Sequence, residues 1–221
     1  MSKSALLLGA TGLVGGHLLS LLTLRYERIV VLTRRELNKQ DAVYEEHLIA
    51  FDKLKEHESL FNVDDVYCCL GTTIKKAGSQ AAFRKVDYDY PLEAAQCAKR
   101  AGAKRFLVVT AMGADPKSPF FYSRVKGELE ASLEELQLPE LHILKPSLIL
   151  GDRKEERTGE QFAQQLSPLF SWMLIGPLKR YRPIQAKHIA MAMIEAANRQ
   201  EPGTHRYRSD QIEKWAAGYA D

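Results

Sequence analysis

Tyr122 and Lys126 stand four residues apart in a stretch patterned as a helix, Ser118–Gln137, and a helix there presents both side chains on one face. A free phenol ionises at about pH 10 and is a poor acid–base group at neutrality. An ammonium beside it stabilises the phenolate and brings its proton within reach of neutral chemistry. Such a pair needs a third group, a hydroxyl that orients a substrate carbonyl. Thr110 supplies one at the end of the apolar run Arg105–Thr110, on the carboxyl edge where open α/β sheets bind ligands. Ser118 is the fallback, nearer in sequence but in the preceding loop. On its own a Tyr-x-x-x-Lys pair is as readily a solvated helix face, and its weight comes from a second feature far upstream.

That feature is Gly9-Ala10-Thr11-Gly12-Leu13-Val14-Gly15, with glycines three apart, placed after the apolar run Ala5–Leu8 and opening a helix over Gly12–Leu24. In this context the first glycine allows a tight turn and the second lets backbone amides approach a pyrophosphate. The third lets the helix pack closely on the strand, and the helix N-terminus holds the phosphates. The plain alternative is a glycine-rich turn with no ligand. Cofactor choice turns on the end of the second strand, Thr33-Arg34-Arg35, where an acidic residue would accept the ribose hydroxyls of NAD. Two guanidinium groups suit a 2′-phosphate instead, which favours NADP(H) and leaves NAD(H) open. Asp52 follows the third strand and is placed to accept from the adenine amino group. Leu70-Gly71-Thr72 ends the fourth strand and lets backbone pass close to the adenine ribose.

Short apolar runs alternating with helical stretches must carry these residues. The runs are Ala5–Leu8, Ile29–Leu32, His47–Phe51, Val66–Leu70, Arg105–Thr110 and Leu141–Leu150; the helices are Gly12–Leu24, Ser79–Ala101, Ser118–Gln137 and Lys187–Asn198. Ile29–Leu32 and Phe106–Val109 are continuously apolar, as strands covered on both faces are. The pattern predicts an α/β fold with a doubly wound, mainly parallel sheet, Rossmann-type and NAD(P)-binding, with a small C-terminal substrate-capping region. The chain reads as one domain over residues 1–221, with 151–182 a lid, a substrate-side insertion or a plain packing excursion.

With 221 residues, 45% hydrophobic and 27% charged, the composition is that of an ordinary globular domain. The balance of 31 basic against 28 acidic side chains, +3, shows no basic stripe and argues against nucleic acid as a partner. Ala5–Leu24 is a run of twenty uncharged residues, but its four glycines and His17 suit a strand, turn and helix better than a membrane span or signal peptide. Cys68, Cys69 and Cys97 cannot all pair, which points to reduced thiols and a cytoplasmic setting. The six histidines show no metal spacing, so no metal is expected.

GATGLVG, VVTAMGAD, YSRVKGELE and LKPSLILGDR together resemble the atypical branch of the short-chain dehydrogenase/reductase superfamily, and within it the chain is most similar to the Tat-interacting-protein oxidoreductase-like family. The likeness runs from residue 5 to about 157 and more loosely to about 198. It implies that Tyr122 is the general acid/base, that Lys126 binds the nicotinamide ribose and tunes the tyrosine, and that Thr110 polarises the substrate oxygen. It also implies that Pro146, Ser147 and Leu148 border the nicotinamide, since Lys145-Pro146-Ser147 stands where the family has Arg-Pro-Ser. Lysine for arginine at 145, threonine for serine at 110, and His188 where relatives often carry aspartate are departures. The function expected is NADPH-dependent reduction of a small carbonyl compound, or oxidation of the alcohol, by a monomer or homodimer. Two other classes stay open: an NADPH-binding sensor or interaction regulator without turnover, and an epimerase with tightly held NAD. The arginines speak against the last.

Overall fold

In the computed structural model, which describes residues 3–37, 43–151 and 181–218, the apolar runs become parallel strands. Strands β1 (Ser4–Leu8), β2 (Arg28–Thr33), β3 (Glu45–Leu48), β4 (Asp65–Cys68), β5 (Arg105–Val109) and β6 (Glu140–Lys145) join a later β9 (Gly203–Arg208) in one sheet. Its order is β3-β2-β1-β4-β5-β6-β9, and every neighbouring pair is parallel. A separate two-stranded pair is made by β7 (Ile149–Leu150) and β8 (Ile184–Gln185). The order turns back between β1 and β4, and the carboxyl end of such a switch point is where open α/β sheets form their ligand crevice.

Side-chain alternation along the buried strands supplies two cores. Leu7, Val31, Leu107 and Leu144 pack under α1 (Leu13–Leu22), α6 (Ala186–Arg199) and α7 (Ser209–Ala217). Leu6, Leu8, Val66, Phe106 and Ile143 face the other way, under α4 (Tyr90–Arg100), α5 (Phe121–Glu135) and a run of 3₁₀ turns over Phe51–Phe61. Two short helices, α2 (Ile74–Ala77) and α3 (Gln80–Arg84), lead into α4.

Three boundaries differ from the sequence expectation. The helix expected over Ser79–Ala101 is broken into α3, a π-helical turn at Lys85–Asp89, and α4. Pro91 has no N–H to offer the carbonyl four residues back, that of Asp87, and the widened turn lies just before it. The run Leu141–Leu150 ends as a sheet strand at Lys145, because Pro146 cannot extend the ladder. The third strand lies at Glu45–Leu48 rather than His47–Phe51, and Phe51 drops into the core as the 3₁₀ turns begin. In the C-terminal part, β9 and α7 complete the sheet and its cover. The lid expected over 151–182 falls almost wholly outside the described residues.

The sheet edge opposite the crevice carries a buried polar network set by strand register. Asp65, Arg105 and Glu140 are lateral neighbours on β4, β5 and β6. Arg105 bonds both carboxylates, and Tyr26 donates to Asp65 at 2.5 Å. His142 lies deeper on β6, with Nδ1 2.9 Å from the Tyr207 hydroxyl and Nε2 without a hydrogen-bond partner. Glu140 is 3.6 Å from that Nε2, but its carboxylate is already bonded to Arg105. Burial first, then His205 and Arg105, pushes the imidazole down from 6.5 to about 4. The folded state therefore holds His142 neutral, whereas the unfolded chain takes up a proton near 6.5. Stability contributed by the neutral ring is complete above that value and falls as the pH drops toward 4. The expected loss is up to about 3 kcal/mol, read from urea unfolding across that window. His142→Gln should flatten the dependence; an unchanged slope in that variant contradicts the assignment.

Candidate functional site

The glycine loop closes at the crevice. Gly9 sits at φ +89°, and a Cβ there would lie 2.5 Å from the Cys69 carbonyl oxygen, so only glycine lets the β1 and β4 loops approach this closely. Gly12 N–H donates to the Gly9 carbonyl at 2.9 Å and then stands extended as the N-cap of α1. No side-chain hydrogen bond caps that helix among the described residues. A Cβ on Gly15 would fall 2.1 Å from the Gly9 carbonyl oxygen, so the third glycine seats the helix on the loop. Ala10 and Val14 are buried and anchor the loop, Leu13 is half-buried, and Thr11 and Gly12 face outward. The backbone amides at the uncapped start of α1 are donors of the kind a pyrophosphate takes.

Around it, Thr33 is buried and shapes the turn: its hydroxyl donates to the Arg35 carbonyl at 2.8 Å and accepts from the Arg35 N–H. That turn leaves the Arg34 and Arg35 side chains exposed, with the Arg34 guanidinium 5.8 Å from the Phe51 ring centroid. Asp52 follows Phe51, paired with Lys85 at 2.6 Å and accepting from the Tyr90 hydroxyl at 3.1 Å. The Lys85 hydrogen bond holds its carboxyl below the usual carboxylate range. Leu70 is buried, Gly71 is exposed, and the Thr72 N–H donates to Asp87 Oδ2 at 2.8 Å.

Asp87 is the junction between the cradle and the tyrosine. It lies in the π-helical turn, 1% exposed, and its other oxygen is 2.8 Å from the Lys126 ammonium. Lys126 is itself 3% exposed. Burial works against its charge, but Asp87 and then Tyr122 outweigh burial and hold the ammonium above its ordinary range. Tyr122 is on the preceding turn of α5, 40% exposed, with its ring 5.6 Å from that of buried Phe83. Phe120, 74% exposed, adds an apolar surface beside it.

Thr110 faces differently from the sequence expectation. Its hydroxyl donates to Glu130 Oε1 at 2.7 Å inside the fold, and Glu130 Oε2 is 2.7 Å from Lys145 Nζ. Ser118 accepts from the Phe120 N–H at the mouth of α5. The backbone after β6 is a fastening: Pro146 accepts from Met112 N–H, Ser147 N–H donates to Ser209 Oγ, and Leu148 accepts from Ile184 N–H. The Ser147 hydroxyl donates to the Arg182 carbonyl. His188 pairs with Glu213 at 2.8 Å, joining α6 to α7.

Sequence reasoning missed three residues here. Asp87 falls on the stripe Phe83, Asp87, Pro91, Ala94 and Ala98, all buried, and a lone carboxylate on such a face is the signal. Glu130 shares the buried side of α5 with Leu129 and Leu133 in the same way. Gly127 lets the loop after β5 press on α5, since a Cβ there would lie 2.2 Å from Pro116 N. Among the described residues no group of three or more histidine, cysteine or acidic side chains gathers as metal ligands, and no helix is long and apolar enough to cross a membrane.

The strand order and the glycine loop at its turning point define a Rossmann-type α/β fold. Solved structures share it at low identity. MoeE5 in complex with UDP-glucose and NAD has a TM-score of 0.71 at 14% identity over 98% of this chain and 82% of that one. The Bordetella bronchiseptica enzyme WbmH in complex with NAD+ has a TM-score of 0.67 at 17% identity over 98% and 79%. Residues 29–175 match the family described as HIM1, and the chain belongs to that family. Protein HTATIP2 of Rattus norvegicus is 39% identical over 170 residues, 74% of this chain and 70% of its own length. The mitochondrial protein FMP52 of Lodderomyces elongisporus is 32% identical over 219 residues, 93% and 91% of the two chains. The likeness to the Tat-interacting protein, expected from the motifs, is thereby borne out. The cytoplasmic setting is not: FMP52 proteins of several yeasts, Candida albicans among them, are named mitochondrial. All three cysteines are free, and free thiols do not specify a compartment.

Proposed function

We propose that this protein binds NADPH in the crevice and reduces a small carbonyl compound, or oxidises the matching alcohol. A bound nicotinamide supplies or accepts the hydride; the chain's own residues do the rest. The amides at the start of α1 hold the pyrophosphate, Lys126 holds the ribose beside the nicotinamide, and Tyr122 gives its proton to the substrate oxygen or takes it back. What carries the reading is one continuous set of contacts. Gly9 lies against the Cys69 carbonyl, the same loop passes through Thr72 to Asp87, and Asp87 holds Lys126 one turn from Tyr122. A cofactor cradle and an acid–base pair are thus built as one unit. The test is a melting-temperature shift with NADPH alongside NADPH oxidation against a panel of carbonyl compounds. A shift with oxidation of at least one compound is the expected result, and no shift with either dinucleotide would refute the reading. Fungal relatives named mitochondrial make the mitochondrion the first compartment to examine.

Preference for NADPH rests on Arg34 and Arg35, exposed at the end of β2 with no carboxylate at the position that would repel a 2′-phosphate. Replacing both by alanine is expected to weaken NADPH binding on the order of 100-fold, since two charge-assisted contacts are lost, and to leave NADH binding nearly unchanged. Equal losses for both dinucleotides in a fluorescence titration would show that the arginines do not read the phosphate.

A second reading, NADPH binding without turnover, is favoured by Thr110. Its one hydrogen goes to Glu130, so it is not offered to a substrate carbonyl. Under this reading NADPH raises the melting temperature while no carbonyl in the panel is reduced. Cysteine chemistry would not be the reporter, because burial pushes the Cys68 and Cys97 thiols up to about 11.

A further inference from the structure

We propose that Asp87 is the positioning residue of this site: its buried carboxylate fixes the Lys126 ammonium with one oxygen and the Thr72 end of the β4 loop with the other, and so limits how much of the lysine charge reaches Tyr122. Three observations lead there. Both members of the ion pair are buried, at 2.8 Å, and a buried ammonium without a counter-charge would be strongly destabilising. The second oxygen takes the Thr72 N–H at 2.8 Å, so one side chain ties the ribose-side loop to the acid–base helix. Asp87 also lies in a π-helical turn between α3 and α4, a widening of the helix often found at functional sites.

The charges around this pair come from every neighbouring element. From α5 there are Lys126 and Tyr122; from β4 there is Cys68, whose thiol burial keeps protonated up to about 11. Next to Asp87 in sequence, Arg84 pairs with Glu128 and Lys85 with Asp52. Further along α5, Glu130 is taken by Lys145. Asp87 is thus the carboxylate that answers the Lys126 charge. An ammonium next to a phenol favours phenolate, and a carboxylate on that ammonium offsets part of the effect. The bearing on turnover rests on the reductase reading; the electrostatic claim does not.

The experiment follows phenolate absorbance across pH, taking in each background the difference between the protein and its Tyr122→Phe counterpart so that only this tyrosine is read. Asparagine at 87 can still accept from the Thr72 N–H but carries no charge. In Asp87→Asn the Tyr122 phenolate is expected to appear about one pH unit lower than in the unaltered protein, and the corresponding limb of the turnover profile moves with it. An unmoved phenolate curve in folded Asp87→Asn overturns the proposal and leaves Asp87 as a loop fastening alone. Should the single variant fail to fold, Asp87→Asn is combined with Lys126→Gln, which leaves no buried charge unpaired. The proposal expects the double variant to fold; its failure as well would overturn the claim that Asp87 serves the lysine. Because the titration reads the tyrosine and not turnover, a shifted phenolate in a protein inert toward every carbonyl supports the role of Asp87 while rejecting the reductase reading.

Discussion

Tyr122→Phe is expected to lower turnover by a factor on the order of 10³ to 10⁴ while NADPH still binds. The variant removes one oxygen and keeps the ring that lies 5.6 Å from Phe83. Lys126 keeps its Asp87 partner at 2.8 Å. Neither the cradle at Gly9–Gly15 nor the turn at Arg34 and Arg35 is touched. The loss should therefore fall on the chemical step, seen as a collapse of single-turnover NADPH oxidation with an unchanged dissociation constant. Undiminished turnover would remove Tyr122 from the mechanism. Weakened NADPH binding of the same size would mean that the tyrosine serves the cofactor instead.

The second large effect concerns two adjacent glycines. Gly15→Ala would put a methyl group 2.1 Å from the Gly9 carbonyl oxygen, a backbone atom that cannot swing away. Either α1 lifts from the loop or the loop loses its turn. Overpacking of this kind costs about 1–3 kcal/mol or more, and the helix amides lose their aim at the phosphates. NADPH binding is expected to fall by at least about 100-fold, equivalent to about 2.7 kcal/mol. Gly16→Ala is the control. A Cβ there meets only the Ala10 carbonyl oxygen at 3.6 Å, ordinary contact, and the position is inside α1. That variant should gain up to about 1 kcal/mol from helix propensity and bind NADPH normally. Urea denaturation and a binding titration of both variants decide the matter; similar behaviour of the two would contradict the close packing of loop and helix.

Much of this architecture was legible in the chain because it rests on local pattern. Continuous apolar runs such as Ile29–Leu32 suit strands covered on both faces, and glycines at 9, 12 and 15 have meaning because a strand precedes and a helix follows them. What escaped depends on partners distant in sequence. Asp87 and Glu130 fall on apolar helix stripes, but no spacing tells that Lys126 and Lys145 arrive from other positions to neutralise them. The hydroxyl of Thr110 is turned by Glu130, twenty residues later, and no spacing rule carries that information. The strand β9 was missed because it is an edge strand of sequence GTHRYR, with Tyr207 its only buried residue, and lacks an apolar run. The kink before Pro91 was half legible: the proline was visible, but the π-helical turn that carries Asp87 inward was not.

The central claim, a nicotinamide dinucleotide site that reads the 2′-phosphate, is tested most directly by one equilibrium titration of the unaltered protein with NADPH and NADH, following nicotinamide fluorescence. The account predicts saturable binding of both, with NADPH tighter by at least about tenfold, or about 1.4 kcal/mol. Binding of neither dinucleotide would contradict it.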